Sequence, residues 1–194
     1  MIAKEVVEKL GESTLLTIQD YDYVQPIDGH GSWSKLELAG PADDYDKTYS
    51  SRLEESLGVR IVRVKPEEFY QAVREVDREE AERMADRWIR EAKEITHVTR
   101  EDVVRSASLY PAYKNLLKKY QADAITMSSW ALIADGKLKA MPPLTEMELS
   151  KELIPCCCES LIDCLVTQMI GTYIGRPGFV GDQVSNWDGL RRED

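Results

Sequence analysis

Two acidic residues near the end of the 194-residue chain, Glu159 and Asp182, carry its most suggestive chemistry. Glu159 follows an apolar run, Ile154 to Cys158, that reads as a strand. Asp182 follows a second short run at 178–181, and the residues between, 159–174, read as a helix. Parallel strands joined by a helical crossover deliver their carboxyl ends to one border of the sheet, where open α/β sheets bind ligands. Neighbouring strands lie about 4.8 Å apart, so carboxylates placed in this way reach one cation even across an intervening strand. Oxygen donors alone favour Mn²⁺ or Mg²⁺ over zinc. Each residue also has a plainer use. A glutamate at a helix N-terminus offsets the helix dipole, and an aspartate after a strand caps a turn. Two carboxylates are also an incomplete metal site.

The elements that must position these residues alternate along the chain. A short helix at 2–10 precedes a strand at Thr14–Ile18, rich in β-branched and apolar residues. Residues 19–45 form a long polar stretch with three glycines and two prolines. A loop of that length in a compact domain is often functional. Within it, Asp28-Gly29-His30-Gly31-Ser32-Trp33 has the composition of a ligand loop or of a mobile surface loop. A helix at 46–57 ends at Gly58, a strand spans Val59–Val64, and Pro66 opens the next helix at a position where its missing N–H costs nothing.

At 77–95, Ala81, Met84, Ala85, Trp88, Ile89 and Ala92 recur at three and four and predict one buried stripe. Asp77 and Glu80 fit a capping box, and Glu79–Arg83 and Asp86–Arg90 fit i,i+4 pairs. Thr99 caps a helix from Arg100 to Tyr120 that Pro111 should kink or divide. Ala122–Met127 is a strand, and a helix follows at 145–153. The pattern predicts an α/β fold, a three-layer αβα sandwich around a mostly parallel sheet of Rossmann-like topology.

Composition narrows the classes. With 43% apolar and 31% charged residues, the chain can bury a core. A net charge of −10 argues against nucleic acid, which needs clustered Lys and Arg. No apolar run is long enough for a membrane span, and the charged N-terminus does not read as a signal peptide. Cys156, Cys157, Cys158 and Cys164 match neither a disulfide framework nor a zinc motif. Small buried thiols in a cytoplasmic protein are expected. His97 is expected to face solvent, and Trp88 to pack the core.

The segment Ile154-Pro155-Cys156-Cys157-Cys158-Glu159-Ser160-Leu161-Ile162-Asp163 resembles the P-x-x-x-E segment of the L-fucose isomerase and L-arabinose isomerase superfamily. Gly175-Arg176-Pro177-Gly178-Phe179-Val180-Gly181-Asp182 resembles that family's G-x-P-x-F-x-x-D segment, and the separation of 23 positions fits. Trp187 has a counterpart in L-fucose isomerases. The resemblance covers most of 50–187, with 145–187 as its specific part.

This resemblance implies that Glu159 and Asp182 bind Mn²⁺ (or Mg²⁺) and act as acid–base groups in aldose–ketose isomerisation of a small sugar. Trp187 and His30 are the candidates for substrate contact. It further implies a cytoplasmic homo-oligomer.

The division expected is 1–45, an N-terminal strand and long loop, and 46–194, the middle α/β domain of such an isomerase. Family members are longer, and their third metal ligand is a histidine of a C-terminal β-rich domain that has no counterpart before Asp194. On that reading the chain is truncated, a split gene product or a diverged stand-alone domain. Alone it should bind metal weakly, catalyse poorly and self-associate. A non-catalytic sugar-binding or assembly module on the same fold is the rival expectation.

Overall fold

The computed structural model describes residues 2–18, 42–134, 136–158 and 162–178. Its centre is a parallel four-stranded sheet built from β1 (Thr14–Ile18), β2 (Arg60–Val64), β3 (Ala124–Met127) and β4 (Cys156–Cys158), in the order β2-β1-β3-β4. All five residues of β1 are buried, as expected of a strand covered on both faces. β1 pairs with β2 from Thr14↔Arg60 to Ile18↔Val64, and with β3 from Leu15↔Ala124 to Ile18↔Met127. The strand of the expected N-terminal segment therefore lies in the middle of the sheet. β4 continues the sheet beyond β3, with Ile125↔Cys156 and Met127↔Cys158 in register.

Side chains alternate between two cores because the strand period is two. Leu16, Ile18, Val64, Ile125, Met127 and Cys156 point to one face. There they meet α3 (Pro66–Arg74), α6 (Leu109–Tyr120) and α8 (Pro143–Lys151) through Phe69, Tyr113 and Leu149. Leu15, Ile61, Ala124 and Cys157 point to the other face. That face is covered by α1 (Ile2–Gly11), α2 (Ala42–Leu57) and α9 (Ile162–Tyr173), through Leu10, Leu57 and Leu165. The architecture is thus a three-layer αβα fold. A short helix, α7 (Ser129–Ala134), leaves β3 directly.

An extra hairpin, α4 (Arg78–Glu91) with α5 (Arg100–Ala107), stands outside the three layers on a small core of its own: Ala81, Ala85, Trp88, Val104 and Ala107. The expected stripe at 81–92 is realised at Ala81, Ala85 and Trp88, whereas Ala92 is exposed beyond the helix end. Asp77 caps α4 by accepting the Glu79 N–H at 3.1 Å. The reciprocal capping box forms instead at Thr99 and Asp102, before α5. Glu79 pairs with Arg83 as expected, but the Asp86 carboxylate accepts two bonds from Arg100 of α5, at 2.8 and 3.0 Å. Arg100 reaches both oxygens of the carboxylate at once, which makes the pair bidentate.

The predicted 100–120 helix divides at Ser108, and Pro111 sits in the first turn of α6, where its absent N–H leaves no carbonyl unpaired. Among the described residues, no helix is long and apolar enough to cross a membrane.

Gly58 joins α2 to β2 with φ of +74°, and a Cβ there would lie 3.0 Å from the Cα of Gly11. Gly58→Ala is expected to destabilise the fold by about 1–2 kcal/mol through the left-handed backbone alone. A lowered urea midpoint at unchanged slope is the expected result.

Candidate functional site

The carboxyl border of the sheet runs through Val64, Ile18, Met127 and Cys158, the last residues of β2, β1, β3 and β4. Chain order reverses direction between β1 and β3: β2 lies on one side of β1, and β3 and β4 on the other. Such a switch point opens a crevice outside the carboxyl ends, the usual ligand site of this architecture. Glu159 is the next residue in the chain after β4. Glu159, Asp182, His30 and Trp187 all lie outside the described residues. Of the expected strand at 178–181, only Gly178 is described, and it is not in a strand.

The described part of this border is polar where an apolar core would be expected. Thr17, Thr126 and Cys157 occupy matching positions on β1, β3 and β4, facing the α1, α2 and α9 layer. Thr17 and Thr126 are fully buried. The Cys157 thiol donates to Thr126 Oγ1 at 3.5 Å. The Thr17 hydroxyl has no hydrogen-bond partner among the described residues, and neither has the fully buried Ser50 hydroxyl of α2. Beyond β3, the Ser128 N–H donates to the Ile18 carbonyl at 2.9 Å, which ties the two strand ends together at the switch point. Ser128 and Ser129 are both buried. Sequence reading passed over this row, although threonines inside otherwise apolar strands were a usable signal. Buried unpaired hydroxyls are rare enough in folded proteins to call for an explanation.

Metal donors are the next question. Among the described residues, no three His, Cys, Asp or Glu side chains group closely enough to hold an ion. Burial, reinforced by nearby Glu146, pushes the Cys156 thiol up to about 12, and the thiol donates to the Glu146 carbonyl at 3.2 Å. Cys156 and Cys157 are buried, in keeping with core thiols.

Three shifted carboxylates, Glu148, Glu68 and Glu152, act as clamps on the helical layer of α3, α6 and α8. Glu148 of α8 is 8% exposed. It accepts the Trp88 indole N–H at 2.9 Å and Lys151 at 2.8 Å, and pairs with Arg87 at 2.8 Å. Burial raises its pKa, but these three donors outweigh burial and leave it below the ordinary glutamate value. Glu68 behaves in the same way: burial is opposed by Lys119 and Tyr120, and the balance is a lowered pKa. Glu152 is lowered by Lys114 and Tyr110, which both donate to it.

The sequence signalled Trp88 as core but not its acceptor, because sixty positions of chain separate Trp88 from Glu148. His97 is exposed on the α4–α5 link, as expected, with φ of 60°. No protein-family model and no curated protein matches this chain.

Proposed function

We propose that the chain is a domain of an aldose–ketose sugar isomerase of the L-fucose/L-arabinose isomerase type, with Glu159 and Asp182 contributing carboxylates to a Mn²⁺ or Mg²⁺ site. One observation carries this reading. β4 runs parallel to β3, so the chain reaches Glu159 from the same border as the ends of β1 and β3. The family-like segments on either side of α9 support it from the sequence.

A bound divalent ion would supply Lewis-acid stabilisation of negative charge on the sugar oxygens. The residues' own part is proton transfer: one carboxylate takes the C2 proton and returns it to C1, while the other serves the hydroxyl protons. Trp187 and His30 are the proposed substrate contacts. A cytoplasmic homo-oligomer is the proposed setting.

The alternative is a non-catalytic sugar-binding or assembly module. Calorimetry with Mn²⁺ tests the metal reading on this chain, and sugar turnover tests the reaction on the longest form of the protein. Weak saturable Mn²⁺ binding is expected, falling at least tenfold in Glu159→Gln and in Asp182→Asn. Binding that neither substitution alters removes the metal assignment, and unchanged turnover in Glu159→Gln removes the catalytic one.

A further inference from the structure

A separate concavity lies at the opposite end of the sheet. This groove, of about 640 Å³, crosses the amino ends of β1, β3 and β4. Its floor is apolar, through Leu117, Ala122, Ile154 and Pro155. On one wall Lys9 of α1 lies with its ammonium 4.2 Å from the centre of the Tyr173 ring. The Tyr173 and Ser13 hydroxyls are 2.6 Å apart beside it. The other wall carries Lys114 and Lys118, on successive turns of α6.

Lys114 is paired with Glu152. Neither Lys9 nor Lys118 has a carboxylate partner among the described residues. Two acids, Glu12 and Asp123, also line the groove, and Asp123 already accepts the Thr14 N–H at 2.8 Å.

We propose that this groove binds a small organic dianion, with a carboxylate or phosphate group at each end of a short apolar body. Cations on two facing walls with an apolar floor between them define that shape. The Ser13 hydroxyl donates to the Lys9 carbonyl at 2.6 Å and accepts from Tyr173, so the charge on this wall comes from Lys9 alone. Lysine suits such a role because its ammonium is a mobile point charge with three donors. The volume is that of a small-molecule site. On a chain of net charge −10, the attraction is local to the groove, so binding should weaken as salt rises. The site shares no residue with the carboxyl border and stands whether or not the isomerase reading holds.

Lys9 and Lys118 also occupy the last turns of α1 and α6, where a cation offsets helix carbonyls. The test separates that role from ligand binding. The full chain is titrated with glutarate and with succinate at fixed ionic strength, with butyrate and chloride as controls, and backbone amide NMR shifts are followed. Saturable shifts at Ser13, Lys118, Ala122 and Tyr173 are expected, at least tenfold tighter for a dianion than for butyrate. Affinity should fall at least fivefold in Lys9→Gln and in Lys118→Gln, with both variants still folded by circular dichroism. The proposal is overturned if neither dianion binds more tightly than the controls. It is equally overturned if both variants keep full affinity and merely melt at lower temperature.

Discussion

Glu148→Leu is expected to lower the unfolding free energy by about 2–4 kcal/mol, read as a shifted midpoint in urea at pH 7. The glutamate sits on α8 and accepts the Trp88 indole N–H of α4. Trp88 is 8% exposed, so its N–H would lose its partner where water cannot readily replace it. Arg87 and Lys151 would lose a carboxylate too, but both reach solvent and add less. Glu148→Gln keeps an acceptor for Trp88 and should recover roughly half of the loss. If Leu and Gln cost the same, the indole bond contributes nothing.

Protonation should reproduce part of this effect. The folded-state pKa of Glu148 is lowered, so its contribution is fully present above the ordinary glutamate value of about 4.3. It is lost as pH falls through the lower folded value. Glu68 and Glu152 shift in the same direction and add to the same acid limb. Stability should therefore decline steeply below about pH 4, and less steeply in Glu148→Gln.

Phe69→Ala is expected to cost about 3–5 kcal/mol, the largest single-site loss among these variants. Phe69 of α3 is fully buried, and its ring centre lies 5.7 Å from that of Tyr113 on α6 at an angle of 58°. The tilted pair fastens α3 to α6 above the sheet, so its loss leaves a cavity that rigid neighbours cannot fill. Phe69→Leu retains most of the volume and should cost about half as much. Chemical denaturation at constant slope checks both. A loss below 1 kcal/mol for the alanine variant would mean that α3 repacks and is not held by this pair.

Much of the element sequence was legible because its causes are local. The three- and four-residue spacing of Ala81, Ala85 and Trp88 turns one face of α4 inward, whatever it meets. Gly58 accepts positive φ, Pro66 starts a helix, and Thr99 with Asp102 closes a cap within four residues. The run from Thr14 to Ile18, apolar on alternate faces with threonines between, needs cover on both sides, which already implies a parallel sheet between helices.

One local pairing gave way to a tertiary one. Asp86 had a candidate partner one turn away in Arg90, but the packing of α5 against α4 set Arg100 against both of its oxygens. Pro111 divides the helix as expected, with the break at Ser108, so that the proline ring sits in the first turn of α6.

Sequence by itself determined most of the strands and helices, the burial of Cys156 and Cys157 and the succession of β4, Glu159 and α9. These follow from periodicity, capping and turn chemistry, which act over a few residues. Tertiary structure alone decided the order β2-β1-β3-β4, and with it the switch point beside Ile18 and Met127. It also decided that Thr17 and Thr126 share a face at that border, that Glu148 closes over Trp88, and that three lysines from two helices meet in one groove. The physical reason is that strand order and side-chain partnerships join positions tens of residues apart. Their energies depend on which surfaces pack together, and no short window of residues encodes that choice.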